Sequence, residues 1–159
     1  MFSEKIIDFD KLKSIVESLK KKGKKIVLAN GCFDIIHVGH VRYLKDAKSR
    51  GDVLIVALNS DKSVRILKGE GRPIIDEKGR AEILSSFEFV DYIIIFDEKD
   101  VSRILTELKP DIHAKGSDYS EDTVPERETV ISYGGKIAIC GGKKVRSSSE
   151  IIKEIKSRR

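Results

Sequence analysis

Apolar positions along this chain alternate between two patterns, stretches with a helical repeat and short unbroken runs. Leu12, Ile15, Val16 and Leu19 share one face of a helix expected over Asp10 to Lys22, with an aspartate at its start, lysines in its last turn and Gly23 as its stop. The unbroken run Ile26 to Ala29 then breaks at Asn30-Gly31, and Val38, Val41, Leu44 and Ala47 begin a second helical pattern that ends at Gly51-Asp52. The same alternation predicts strands over Val53 to Leu58, Tyr92 to Phe96, Ile112 to Lys115 and Lys136 to Cys140. Helices are expected over Asp61 to Leu67, near Gly79 to Phe87, from Asp100 to just before Pro110, near Pro125 to Tyr133, and from Ser149 onward. Unbroken apolar runs suit strands buried on both faces, so the expectation is an α/β fold: a doubly wound, five-stranded parallel sheet with helices on both faces. Such sheets bind ligands at the carboxyl ends of their strands, where the strand order reverses. The loops beginning at Asn30, Asn59, Asp97, Gly116 and Gly141 are therefore the ones to inspect.

Length and composition narrow this only slightly. A chain of 159 residues, 40% hydrophobic, suffices for one core, and with no repeat or linker visible a single domain over residues 1–159 is expected. At this size folding removes roughly 68–70% of the unfolded surface from water, so no staple is needed. The two cysteines, Cys32 and Cys140, lie far apart without metal-ligand spacing, which suits a reducing compartment. No run approaches the ~18 apolar residues of a membrane span, and the amino terminus does not read as a signal peptide. A cytoplasmic protein without a membrane partner is expected. The net charge of +5 raises the question of nucleic acid, but basic and acidic residues are interleaved and aromatics are 6%, so no nucleic-acid partner is expected and phosphate-bearing small molecules fit as well. With 36% charged residues and no glutamine, the composition resembles that of proteins from hot environments.

The first of the inspected loops, Asn30 to His40, holds two of the three histidines. His37 and His40 stand three residues apart at a helix start, so they project to one side, toward backbone N–H groups that already favour an anion. Two imidazoles, a glycine between them and a helix dipole make a phosphate cradle. No cysteine or carboxylate cluster completes a zinc site, and no metal ligands are assigned. A surface pair of histidines is the plainer reading.

His37-Val38-Gly39-His40, between Gly31-Cys32-Phe33-Asp34 and Val41-Arg42-Tyr43-Leu44, resembles the signature of the Rossmann-like HxGH nucleotidyltransferases. Asn59-Ser60-Asp61, Ser63-Val64, Leu67-Lys68-Gly69, Arg72-Pro73, Arg80, Lys115-Gly116-Ser117-Asp118-Tyr119 and Gly134-Gly135 follow in order. The whole resembles the family of bacterial D-glycero-β-D-manno-heptose 1-phosphate adenylyltransferases, which make ADP-heptose and are in many bacteria fused to a sugar kinase; a stand-alone form is expected. Two positions depart from the family. Arg146-Ser147-Ser148-Ser149 replaces its Ser-Thr-Thr, which keeps hydroxyls, and Ser117 replaces a glycine, which puts a backbone conformation in doubt.

The resemblance implies adenylyl transfer from ATP to a sugar 1-phosphate, with Mg2+ held mainly by the ATP phosphates and a homodimer common among relatives. The acceptor phosphate is already an anion, so the protein need supply only positioning and charge stabilisation. His37 and His40 are implied to contact the triphosphate. Lys68 and Arg72, in a glycine-containing loop, could close as a mobile lid over the leaving group; a solvated basic loop is the plainer alternative. Gly31, Cys32, Phe33, Gly39, Arg80, Lys115, Gly116, Ser147 and Ser148 are implied around the nucleotide, although Arg80 could equally make a surface salt bridge. Asp34 and Asp61 could bind sugar hydroxyls or cap helices, and Asp118 and Tyr119 would shape a sugar or base pocket. His113, inside a strand, reads as a packed histidine, and Cys32 as a small apolar residue. Three other readings stay open: a cytidylyltransferase acting on glycerol 3-phosphate or a related phosphorylated alcohol, an adenylyltransferase making FAD, and a non-catalytic RNA-binding module, which would be expected to lose the histidines or Gly39.

Overall fold

The computed structural model describes residues 3–143 and 146–158. Helix α1 (Phe9–Lys21) precedes the alternation β1 (Ile26–Gly31), α2 (Val38–Ser49), β2 (Val53–Asn59), α3 (Asp61–Lys68), α4 (Glu77–Ser85), β3 (Tyr92–Phe96), α5 (Ser102–Leu108), β4 (Ile112–Gly116), α6 (Arg127–Ser132), β5 (Lys136–Cys140) and α7 (Ser148–Ser157). Among the described residues no helix is long and apolar enough to cross a membrane.

Capping side chains set most starts. Asp8, not Asp10, caps α1 by accepting the Lys11 N–H at 2.8 Å. Ser60 caps α3 and Asp76 caps α4, so α4 begins two residues before the expected Gly79. Asp100 accepts the Ser102 N–H at 2.9 Å from outside α5, which ends at Lys109 in a left-handed turn (φ 49°) before Pro110. Helix α6 is shorter than the expected Pro125 to Tyr133 span.

All strand pairs are parallel, in the order β3-β2-β1-β4-β5. The chain winds outward from β1 through β2 to β3, then returns to place β4 on the other side of β1, so the order reverses between β1 and β4. Alternation along each strand feeds two cores. Val27, Ala29, Leu54, Val56 and Leu58 pack with Leu44 and Ala47 of α2 and Ala81 and Leu84 of α4. Ile26, Leu28, Ile55 and Ala57 point the other way, onto Leu12 and Val16 of α1, Ile104 and Leu105 of α5 and Val130 of α6. Each fully buried aliphatic side chain contributes about 1.5–3 kcal/mol, so the two cores hold the central strands rigidly beneath the ligand rim. The segment before α1 lies along the outer edge of β3, where Ile7 N–H donates to Ile93 O and Ile93 N–H to Lys5 O, and this covers an edge that would otherwise offer unpaired backbone groups.

Candidate active site

Above the reversal point the carboxyl ends of β1, β4 and β5 open into a cavity of about 490 Å³. Its remaining walls are the β1–α2 loop with the start of α2, the end of α3 with Arg72 of the α3–α4 connection, and the start of α7 with the residues before it. The loops beginning at Asn59 and Asp97 contribute no lining residue, so two of the five expected rim loops stay outside it.

His37 and His40 open α2. His37 is extended (φ −135°), and its Nδ1 accepts the Gly39 N–H at 3.1 Å while His40 Nδ1 accepts the His37 N–H at 3.2 Å. This is a reciprocal capping box built from imidazoles. A ring nitrogen that accepts cannot also carry the hydrogen, so each ring carries its N–H at Nε2, which in His37 is buried. Burial, and then the neighbouring His37, push the His40 imidazole down to about 4, so it is neutral at physiological pH. The ring centroids are 4.0 Å apart, and the first turn of α2 carries no acidic side chain to offset the dipole. Gly39 is required by this geometry, because a Cβ there would meet His37 Cε1 at 2.8 Å and Nδ1 at 3.0 Å.

The loop from β1 into α2 is held under strain. Phe33 (φ 49°) and Ile35 (φ 45°) both sit in the left-handed region. Phe33 is buried, its ring 5.3 Å from that of His40 and 6.4 Å from that of Tyr43, so it supports the histidine from below while touching the cavity.

Asp34 takes a part the sequence did not suggest. It lines the cavity, yet it is neither a helix cap nor an uncommitted acceptor for a sugar. Its buried carboxylate accepts from Ile74 N–H at 2.8 Å, Ile75 N–H at 3.0 Å and Arg72 Nε at 3.1 Å. Burial alone would raise its pKa, but these hydrogen bonds and the Arg72 charge hold it below the ordinary carboxylate range. Asp34 therefore pins the exit of the α3–α4 loop, while Lys68 lines the cavity before Gly69 (φ 93°) and Gly71 (φ 84°).

Arg80 and Asp61 are placed differently from the expectation. Arg80 is fully buried and does not line the cavity. Its guanidinium donates to Ile75 O (2.8 Å), Cys32 O (2.7 Å) and Asn59 O (2.7 Å), and pairs with Asp61 at 2.8 Å. It is neither a nucleotide contact nor a surface salt bridge, but a brace tying three chain segments under the rim. Asp61 is that brace's counter-charge, since Ser60 is the helix cap.

On the far wall Lys115 and Gly116 close β4, and Lys115, Gly116 and Asp118 line the cavity. Burial lowers the Lys115 ammonium pKa, and Glu126 opposes that shift. The Lys115 Nζ lies 4.0 Å from Glu126 Oε2 and 4.7 Å over the centre of the Tyr119 ring, so Tyr119 carries the lysine and does not itself line the cavity. Ser117 adopts no positive φ, so the glycine usual at that position is not needed for the backbone. Ser147 caps α7 in a box with Glu150. Ser148 Oγ donates to the carbonyls of Asp34 and Ile35, which joins α7 to the β1–α2 loop.

Sequence reasoning passed over several residues. Arg42, Lys143 and Arg146 add cations to the cavity, with Arg146 paired to Glu154. Tyr43 donates to Ala114 O at 2.7 Å, and buried His113 bonds Asn30 Oδ1 at 2.9 Å, as a packed histidine would. Tyr43 lies three residues after His40, about one helical turn on, a signal that could have found it. Glu126 carried no such signal. Cys32 lines the cavity with its thiol pushed up by burial against the pull of Lys68, Arg80 and Arg72, so no thiolate is prepared there.

The arrangement can hold a polyanion: two N–H imidazoles, a helix N-terminus, Gly31 and Gly116 for close approach, and several cations. Among the described residues no group of three or more His, Cys, Asp or Glu is placed to hold a metal ion. The donor set suits phosphate oxygens and does not suit a protein-held divalent ion.

Comparison with known proteins agrees with this geometry. The chain is 50% identical over 151 residues to the bifunctional protein HldE of Geobacter metallireducens and 46% identical over 154 residues to that of Pelobacter propionicus. These matches cover 95% and 97% of this chain but only 31% and 32% of the relatives, so the chain spans about a third of their length. Among solved structures, the lipopolysaccharide core biosynthesis protein of Thermoplasma volcanium matches with a TM-score of 0.63 and 35% identity, over 74% of this chain and 94% of that one. Pantoate-beta-alanine ligase of Francisella tularensis, at 20% identity and a TM-score of 0.64 over 97% of this chain and 77% of that one, shares the fold. Residues 28–155 match the cytidylyltransferase-like family, and with the HxGH pair at the mouth of a parallel sheet the chain belongs to that family of nucleotidyltransferases.

Proposed function

We propose that this chain transfers the adenylyl group of ATP to D-glycero-β-D-manno-heptose 1-phosphate, giving ADP-heptose and pyrophosphate. The observation that carries the reading is the pair of Nε2–H imidazoles at the N-terminus of α2, on a cavity also lined by Lys68, Arg72 and Lys115. Support for the sugar comes from the ordered motifs that resemble the heptose 1-phosphate adenylyltransferases, and from the similarity to HldE and to a lipopolysaccharide core biosynthesis protein.

In this reaction an oxygen of the acceptor phosphate attacks the α-phosphorus of ATP. The new P–O bond forms as the bond to the bridging oxygen breaks, and pyrophosphate leaves with the electron pair. His37 and His40 donate to phosphate oxygens as charge grows there, and as hydrogen-bond donors they do so without moving a proton. Lys68 and Arg72 neutralise the leaving group, and Gly31, Gly39 and Gly116 let the backbone approach the nucleotide. Ser147 and the N-terminus of α7 face the same anion, with Asp118 toward the sugar. Magnesium, for which the described residues offer no ligand group, would be held by the ATP phosphates and would offset their charge. A cytoplasmic location goes with this reading.

The test is pyrophosphate release with ATP or CTP against heptose 1-phosphate or glycerol 3-phosphate at matched concentrations, with products resolved by mass. ADP-heptose is expected as the dominant product, on the likeness of the ordered motifs to the heptose 1-phosphate adenylyltransferases and of the chain to HldE. Preferential CDP-glycerol formation would replace the heptose assignment by the cytidylyltransferase reading and leave the histidine chemistry intact.

A further inference from the structure

Lys115 and Glu126 form a buried pair of unusual construction. Lys115 ends β4 and faces the cavity, whereas Glu126 immediately precedes α6 and lies behind the cavity wall, where it lines nothing. The glutamate is 6% exposed and the lysine 9%. Their charged atoms stand 4.0 Å apart, close enough for strong attraction in a poorly solvated site but beyond hydrogen-bond reach. Glu126 Oε2 accepts no hydrogen bond among the described residues, so its charge has little to act on besides the ammonium. A pair built only for stability would close this gap into a charge-assisted hydrogen bond, because an open buried pair leaves desolvation largely uncompensated.

Resting on the nucleotidyl-transfer reading, we propose that Glu126 is a positioning residue for Lys115: its buried carboxylate compensates the lysine from behind, leaving the ammonium donors uncommitted for an oxygen of the anionic substrates. The Tyr119 ring, 4.7 Å below Nζ, confines the ammonium from another side without taking an N–H donor. When a phosphate arrives, the lysine gains it without first breaking a hydrogen bond to Glu126.

Around the pair stand His113 on β4, Tyr119 on the following loop and Tyr43 on α2, with Cys140 on β5 in register with Gly116 and Asp118 lining the same cavity. Burial, with the Lys115 charge, pushes His113 down to about 3, burial pushes Cys140 up to about 11, and burial raises Tyr43 above its ordinary range. These three therefore do not change charge between pH 6 and 9. Desolvation already lowers Lys115, and Glu126 opposes it. Removing the carboxylate removes the raising influence, so Lys115 then loses its proton at lower pH. An opposite charge at this range typically moves a titration by about one to three pH units.

The experiment compares wild type, Glu126→Gln and Glu126→Asp. The Lys115 ε-CH2 signal is followed by NMR against pH in protein carrying 13C-lysine, with Lys115→Arg assigning the signal, and kcat/KM for pyrophosphate release is measured from pH 6.5 to 9. Glu126→Gln is expected to lower the Lys115 midpoint and to give a kcat/KM deficit about tenfold larger at pH 9 than at pH 6.5. Glu126→Asp, which keeps a carboxylate one methylene further back, is expected to fall between the two and to decide the matter if the glutamine variant does not fold. An unchanged Lys115 midpoint, or an activity loss independent of pH with a lowered melting temperature, overturns the proposal and leaves a structural pair. If wild type makes no ADP-heptose, the functional reading fails by itself, and the NMR titration still decides the role of Glu126.

Discussion

At the scale of single residues, the catalytic part proposed for the two histidines rests on how their Nδ1 atoms are used. Each accepts a backbone N–H, which fixes the ring and leaves Nε2–H as the donor. Replacing His37 or His40 by alanine removes one donor to charge that develops in the transition state. Turnover is expected to fall roughly 10²–10³-fold in either variant with the fold retained. Steady-state kinetics beside a circular-dichroism melt check this, and wild-type turnover in a folded single variant would remove the catalytic assignment. Because burial holds His40 at about 4, its donor persists through mildly acid pH, and no loss of rate near pH 6.5 is expected from its protonation.

At the scale of elements, the connection between α3 and α4 divides into two mechanical halves. Residues 68–71 include two glycines at positive φ, whereas residues 72–75 are held by the Asp34 carboxylate through Arg72, Ile74 and Ile75. A lid over the leaving group, if this loop provides one, therefore moves in its first half and hinges on its second. Hydrogen exchange is expected to show residues 68–71 gaining protection with ATP and magnesium, with the Ile74 and Ile75 amides protected already. Asp34→Asn turns an amide N–H toward donors and loses about 1–3 kcal/mol of buried hydrogen bonding, so those two amides should exchange roughly tenfold faster or more. Unchanged exchange at Ile74 and Ile75 in that variant would show that Asp34 does not anchor the loop.

At the scale of the whole molecule, stability is tied to pH through buried imidazoles. Burial holds His40 at about 4 and His113 at about 3, against the ordinary ~6.5 of an unfolded chain. Between those values the unfolded state binds more protons than the native one, so stability rises with pH and is lost as pH falls from about 6.5 toward 4. Each histidine contributes a slope of roughly 1 kcal/mol per pH unit across that window. Asp34, depressed in the folded state, adds a further loss only below the ordinary carboxylate range. Urea-unfolding midpoints at pH 7.5, 6, 5 and 4.5 are expected to fall at each step, with the drop already visible at pH 6. A midpoint unchanged down to pH 4.5 would contradict the neutral, buried state of both rings.

What the sequence by itself determined is what depends on neighbours a few residues away. The unbroken runs at Ile26 to Ala29 and Val53 to Leu58 placed central strands, and helical periodicity placed α1 and α2, because burial on two faces or one stripe leaves a repeat in the chain. The His37-Val38-Gly39-His40 element was legible for the same reason, since its capping box closes within four residues. Helix starts slipped where a nearby side chain competed for the cap, as Asp8 did with Asp10. Tertiary structure alone decided the roles of Asp34, Asp61, Arg80 and Glu126. Asp34 meets Ile74 forty residues on, and Arg80 reaches Cys32 forty-eight residues back, contacts that exist only once the sheet has brought β1, β2 and the α3–α4 loop together. An aspartate or arginine has the same letter whether it faces a ligand or a buried carbonyl. Its partner is set by how the layers pack, and its charge by how much water that packing removes.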